Sequence, residues 1–503
     1  MIKPIYRDRS TADPEYVSEI AHVKRFLERW QGDEAFRADL ALDARQAAES
    51  RGLRCDAESL RPLWDASHAA SKDMSLPVSR EVTRYRAFIT EKLEHRDELR
   101  RTGNPTLHNF NLWRLRQMVR TTSQLGHTRA HGIVHPISAF ELSRGCSVGC
   151  WFCGVSAPRL DDVFPYTDHN RGLWRDMLAA LRARVGPAAW QGFCYWATDP
   201  IDNPDYEKFC CDFHDILGYF PQTTTALPLR DVARTRRLLA LSEERGCMLN
   251  RFSIVTNKNL DGVHETFTAE ELAFVELVMQ NSKKTTSKAL TGRARERALR
   301  EAAKNDGRLD DGLRLHDGGL QLEGLRETGA AGVDTSTVAC ISGFLTNMVD
   351  RTVKLVSPCP ASDRWPLGYR VHAQGRFDTA EQFAELIAEM TSQDSMPAQV
   401  RAGDVLSLRP DLRCAPVEGG IEVTSPWLRQ RFRGLGPEAM ALLGAQVAEG
   451  RHTVADIALA LEARHGTAMS ETLHMLNKML SLAVLDDEPA VAAEASPEIA
   501  EIP

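Results

Sequence analysis

Cys146-Ser-Val-Gly-Cys150-Trp-Phe-Cys153 sets three thiols in one short run, at spacings of three residues and then two. Thiolates this close can ligate three irons of a cubic [4Fe–4S] cluster and leave the fourth without a protein ligand, open to a chelating small molecule. A structural zinc site would want a fourth Cys or His at a finger or ribbon spacing. Cys194, Cys210 and Cys211 lie downstream, but none repeats the C-x-x-C half. A disulfide framework is not expected either. The cysteine count is 11, and the opening MIKPIYRDRSTADPEY lacks the apolar core of a secretory signal. Cys55, Cys194, Cys210, Cys211, Cys247 and Cys414 read as buried, inert thiols.

Outward from the triplet, the chain alternates. Residues 133–142 (IVHPISAFEL) read as a buried strand that Ser143 to Gly145 turn into the cysteine loop. Trp174, Met177, Leu178 and Leu181 mark one helix face. A strand over 192–197 ends in Thr-Asp-Pro, and Tyr206, Phe209, Cys210 and Phe213 repeat the helical spacing. A strand over 223–229, a helix through Arg245 and a strand over 251–256 follow. Thr268-Ala-Glu-Glu271 reads as a capping box opening a helix that carries Leu272, Val275 and Met279. Strands alternating with amphipathic helices predict an α/β fold of parallel βα units with right-handed crossovers. The stretch 281–330 is charged and poor in aromatics, so a solvated helix or mobile insert is expected. Order returns at Thr337. Residues 353–356 read as a strand, and Ser357-Pro-Cys359-Pro bends the chain at its carboxyl end. By composition alone, Cys340 and Cys359 are buried apolar thiols.

The triplet, with Phe152 before its last cysteine, resembles the cluster loop of the radical S-adenosylmethionine enzymes. That resemblance implies a partial (βα)6 TIM-like barrel over 131–400, with chemistry at the carboxyl ends of the strands. It also implies S-adenosyl-L-methionine held through its amino and carboxylate groups on the open iron. Thr198 and Asp199 then stand where the superfamily meets the methionine amino group, a task that suits a carboxylate. Ser253 and Asn257 stand where polar side chains meet the ribose. Each of these also reads as an ordinary turn or cap residue.

Four runs narrow the resemblance: ELSRGCSVGCWFCGVSAP (141–158), FCYWATDPIDNPDYEKF (193–209), RFSIVTNKNLDGVHETF (251–267) and VKLVSPCPASDRWPLGY (353–369). Together they are similar to the radical peptide epimerases that mature ribosomally made precursors of the proteusin type. The implied reaction removes an α-hydrogen from an L-residue and returns hydrogen from a thiol on the opposite face, leaving a D-residue. The resemblance carries the thiol's role to Cys359, with Cys340 second. It implies a precursor peptide, leader and core, as partner, and an electron donor such as flavodoxin or ferredoxin. From Cys340 onward the chain has only Cys340, Cys359 and Cys414, too few to ligate an auxiliary cluster fully. That disfavours a thioether or carbon–carbon cross-linking enzyme, which stays the alternative.

The flanks read as separate modules. Residues 1–130 are expected to be helical, with stripes at Ile20, Val23, Leu27, Trp30 and at Tyr85, Phe88, Leu93. Arg114, Arg116, Arg120 and Arg129 either meet acidic peptide or sit in water. Over 401–490, a hairpin signal at Glu418-Gly-Gly420 and a capping box at Thr453-Val-Ala-Asp456 precede helices, which suggests a winged-helix-like domain that binds leader peptide at a sheet edge. Its candidate reading helix, ETLHMLNKML, has one Lys and no Arg, against nucleic acid and against a zinc-stabilised DNA-binding regulator. Residues 491–503 read as a disordered tail. Formal net charge is −7 and no run has the length of a membrane span, so a soluble cytoplasmic protein without membrane or nucleic-acid partners is expected.

Overall fold

The computed structural model describes residues 12–65, 67–68, 78–247, 249–281, 289–304, 313–316, 319–322 and 337–489. Asp13 accepts a hydrogen bond from the Glu15 amide at 3.0 Å and opens helix α1 (Pro14–Gly32), which buries Tyr16, Ile20, Val23 and Phe26. Helices α2 (Arg80–Thr102) and α3 (His108–Leu125) follow. The alternating region then runs β1 (Ser138–Glu141), α4 (Asp168–Val185), β2 (Gly192–Phe193), α5 (Tyr206–Leu217), β3 (Thr224–Thr225), α6 (Val232–Glu244), β4 (Asn250–Ile254), α7 (Asn257–Thr266) and β5 (Val275–Met279). After α8 (Gly292–Lys304) come β6 (Gly343–Asn347), β7 (Thr352–Pro358), β8 (Tyr369–Arg376) and α9 (Ala380–Met390).

Pairing makes this a mixed α/β structure. One sheet has the order β8-β7-β6-β1-β2, a second β3-β4-β5, and an isolated parallel bridge from Phe193 to Gln222 links the two. β1 lies parallel to both β2 and β6, while β7 and β8 are antiparallel additions. The expected (βα)6 series is therefore met only as far as α/β layering. Alternation sorts the side chains of β1. Phe140 joins Trp174, Met177, Phe209, Phe213 and Phe344 in the helix-side core, whereas Ala139 joins Phe193, Trp196, Leu345 and Val356 on the opposite face.

Two expectations are corrected. The capping box at Thr268 forms, with the Thr268 amide donating to Glu271 at 2.7 Å and the Glu271 amide to Thr268 at 3.1 Å, yet no helix follows. Val275, Leu277 and Met279 are buried with period two, because β5 pairs in parallel register with β4 and Glu276 accepts from Arg251 at 2.7 Å. The predicted strand over 192–197 is also cut to Gly192–Phe193, with Ala197 turned to φ 49°. Part of 281–330 is ordered as α8, and its remaining residues lie largely outside those described, as do 491–503.

The C-terminal region holds a three-stranded antiparallel sheet, β9 (Arg413–Val417), β10 (Gly420–Thr424) and β11 (Arg429–Phe432). Helices α10 (Pro437–Glu449), α11 (Val454–His465) and α12 (Met469–Ser481) complete it. Gly419 at φ 74° turns the expected hairpin, and Thr453 with Asp456 makes the expected capping box. Ile421, Val423, Met440, Leu443, Ile457, Leu461, Leu476 and Met479 form its own core.

The arginine cluster is neither solvated nor open, except that Arg129 is exposed. Arg114, Arg116 and Arg120 are buried. Arg114 donates to the carbonyls of Ser342 (3.0 Å) and His135 (2.5 Å). Arg120 pairs with Asp487 and Glu488, and Arg370 donates to Glu488 at 2.7 Å. The acidic segment Asp486-Asp487-Glu488 thus bolts the C-terminal region onto α3 and β8.

Candidate active site

The cysteine loop leaves the carboxyl end of β1 through Gly145, at φ 85°, where an added Cβ would lie 2.2 Å from the Arg159 carbonyl oxygen. Only glycine fits there. The Cys146 amide donates to Pro158 O at 2.9 Å, the Cys153 amide to Cys150 O at 3.2 Å, and the Ala157 amide to Cys153 Sγ at 3.4 Å. All three thiols are free and half-buried. Burial, then the negative groups nearby, pushes Cys146 up to about 12; burial and neighbouring Cys153 push Cys150 up to about 11. A bound cation would reverse that cost, since a coordinated thiol deprotonates.

Neighbouring strand ends clamp the loop. Asp202 accepts from the Ser147 amide (2.8 Å) and hydroxyl (2.5 Å), and Arg230 donates to Asp202 at 2.7 Å. Arg293, at the start of α8, donates its amide to Cys153 O at 3.0 Å and its guanidinium to Cys150 O at 3.3 Å.

Around this loop the structure is left incomplete. The hydroxyls of Ser143, Ser156, Thr198 and Thr291 are buried without a hydrogen-bond partner among the described residues. Ser156 and Ala197, neither of them glycine, hold φ of 49°. Orphaned polar atoms and left-handed backbone both cost free energy, and they collect where a ligand completes the site. Among the described residues no three His, Cys, Asp or Glu side chains converge to hold a single metal ion. A cubane instead gives each thiolate its own iron. Three half-buried thiols beside unpaired hydroxyls fit such a group, with Cys146, Cys150 and Cys153 as the residues to hold it.

The other candidates lie on or beside elements of both sheets. Phe152 is half-buried, edge-on to Trp151 at 5.3 Å. Asp199 is buried, and its carboxylate accepts from the Ile201 amide (3.0 Å), the Thr225 hydroxyl (2.7 Å) and the Ala226 amide (2.7 Å). It therefore ties the end of β2 to β3, and burial raises it to about 6 despite those bonds. Ser253 is half-buried on β4, on the same strand face as Arg251. Asn257 is exposed at the first turn of α7 and accepts from Asn281. Among the described residues no hydrogen bond joins Ser253 or Asn257 to Asp199.

The two thiols outside the loop have different surroundings. Cys340 is half-buried against the cluster of Ala139, Phe193 and Trp196, on which Val155, just past the last loop cysteine, also packs. Cys359 is buried just beyond β7, its amide donating to Gly368 O at 2.9 Å, with Arg370, Glu488 and Arg120 nearby. Burial pushes both up to about 11, so both are neutral S–H groups at neutral pH. The sequence reading missed a polar group on the face away from the helices. Asn347 donates to Glu141 at 2.5 Å, Lys354 and Tyr369 lie close by, and burial raises Glu141 to about 8. Glu141 sits inside the first quoted run, and its place at the carboxyl end of a strand was the signal available.

The chain is 36% identical over 483 residues to the uncharacterized protein y4wI of Sinorhizobium fredii, spanning 94% of this chain and 89% of that one. The chain belongs to the y4wI family. No family model matches. Among solved structures, BtrN in complex with AdoMet and 2-DOIA is similar at a TM-score of 0.22 and 13% identity, over 29% of this chain and 56% of that chain. A likeness so slight carries no argument. No helix among the described residues is long and apolar enough to cross a membrane.

Proposed function

We propose that this protein is a radical S-adenosylmethionine enzyme that converts L-residues to D-residues in a ribosomally made precursor peptide. One observation carries the reading: three thiols spaced for an open-vertex cluster, at a strand's carboxyl end, ringed by orphaned hydroxyls and strained backbone. Cys146, Cys150 and Cys153 would hold a [4Fe–4S] cluster there, which with S-adenosyl-L-methionine would supply the radical chemistry for removing hydrogen from carbon. The chain's own residues do the rest. Ser147, Asp202 and Arg293 hold the cysteine loop in register. Thr198 offers an unpaired hydroxyl, and Asp199 keeps lone-pair capacity toward an ammonium while fixing the strand ends. Ser253 and Asn257 are the ribose-side candidates. The apolar face at Phe193, Trp196 and Val356 excludes water from the reacting carbon.

A neutral thiol opposite the abstracting group returns the hydrogen and is left as a thiyl radical, which one further electron from the carrier and one proton restore to S–H; the resemblance puts Cys359 first, and it neighbours Tyr369, whose ring packs on Trp196 at 5.9 Å. Cys340 is the second. The C-terminal region, read as winged-helix-like, docks the leader and raises the core's effective concentration. An acidic one-electron carrier such as flavodoxin or ferredoxin supplies the electron.

Anaerobic reconstitution with iron and sulfide analysis, followed by electron paramagnetic resonance with and without S-adenosyl-L-methionine, tests the first half. A signal that ignores the nucleotide refutes it. Co-expression with a candidate ribosomally made precursor peptide in deuterated water tests the second. Inversion adds one deuterium per site, cross-linking removes two hydrogens, and Cys359→Ala against Cys340→Ala identifies the donor.

A further inference from the structure

We propose that the surface formed by Trp151 and helix α8 is where an acidic one-electron carrier protein docks, an inference that rests on the radical reading above. Trp151 stands between two cluster-spaced thiols and is 45% exposed, which is unusual for so large an apolar ring. The Arg297 guanidinium lies over that ring, 4.2 Å from its centroid. Arg297 is carried by α8, which is fixed to the loop: Arg293 bonds Cys150 O and Cys153 O, and an added Cβ at Gly292 would lie 2.6 Å from Cys153 O.

Charge supplies the second argument. Helix α8 carries Arg293, Arg295, Arg297, Arg300 and Lys304 against only Glu296 and Glu301, in a chain whose formal net charge is −7. Arg230, 43% exposed and paired with Asp202, also reaches the cysteine loop, donating to Ser147 Oγ at 2.5 Å, but its charge is balanced there. The ion pairs Arg295–Asp363 and Arg297–Glu301, both at 2.6 Å, involve exposed partners and leave the excess positive charge in place. A local cationic field on an acidic protein steers an anionic partner to that spot, and an Arg–Trp pair is the usual anchor of a contact. The spot adjoins the thiols, which shortens the path an electron must cover.

The test uses the full-length reconstituted protein and an acidic plant-type [2Fe–2S] ferredoxin. Calorimetric titration with the oxidised ferredoxin at low salt reads docking; stopped-flow mixing with the reduced ferredoxin reads electron entry. Replacing Arg297→Glu together with Arg300→Glu is expected to weaken docking and slow reduction by about tenfold and to flatten their salt dependence. Reduction by dithionite should stay at the wild-type rate. Arg300→Glu alone, on an exposed position away from the loop, should show a smaller loss in the same direction, which guards against a double variant that fails to hold iron. Unchanged ferredoxin binding in both variants overturns the proposal, as does a duplex DNA that binds this face in preference to the ferredoxin. A wild-type protein without iron and sulfide would sink the radical reading instead, because docking of the oxidised ferredoxin is read without a cluster.

Discussion

The hydroxyls around the cysteine loop and the carboxylates at the Arg120 junction are paired in opposite ways. Around the loop, the hydroxyls of Ser143, Ser156, Thr198 and Thr291 have no partners among the described residues, and Ser156 and Ala197 hold strained backbone. At the junction Asp486, Asp487 and Glu488 all lie within reach of Arg120, Glu488 is shared with Arg370, and Gln117 donates to Asp487 at 2.7 Å. Unpaired hydroxyls lower stability and persist where a ligand repays them, whereas the paired carboxylates of the junction do their work within the chain itself, even though the Arg120 Nε keeps no partner among the described residues. The first region is built to be completed, the second to hold.

The sharpest way to break that comparison is Cys150→Ala. Iron content should fall to background while the thermal midpoint of the metal-free protein barely moves; a large drop in midpoint would mean that the loop is structural. Arg120→Met should do the reverse, costing about 3 kcal/mol in urea unfolding by removing the cation from half-buried Asp487, with Glu488 still held by Arg370, while the reconstituted iron signal survives. Glu141→Gln probes the polar group on the open face through pH. Burial raises the Glu141 carboxyl to about 8, against the bond from Asn347 and the charge of Lys354, with Asp350 adding to the rise. The native state then holds a proton that the unfolded chain releases near its ordinary value. The stabilisation is complete below that ordinary value and is lost as pH climbs through about 8. Wild-type stability should therefore decline relative to Glu141→Gln across that window, and parallel curves would refute the shift. The smallest effect belongs to Thr453→Ala, which removes one half of the α11 capping box and should cost about 1 kcal/mol with no change in iron binding.

What could be read in advance divides along the same line. The cysteine loop, the capped α11 and the hairpin at Gly419 are local, set by residues a few positions apart. The segment at Thr268 misled because its capping box is real, and Leu272, Val275 and Met279 fit a helical stripe as well as Val275, Leu277 and Met279 fit a strand. Pairing with β4 made the choice. The arginines of α3 misled for a different reason: the carboxylate that takes Arg120 arrives 368 positions later. The seat of α8 on the loop was hidden in the same way, since a charged run reads as solvated until its neighbour is known.

By itself the sequence determined that three thiols share one loop, because their spacing is covalent, and that strands and helices alternate around it, because apolar periodicity is local. Only the tertiary structure decided which hydroxyls are left unpaired beside those thiols, which arginines are buried, and which thiol lies under the C-terminal segment. Those outcomes depend on contacts between distant parts of the chain, and no local pattern encodes the partner.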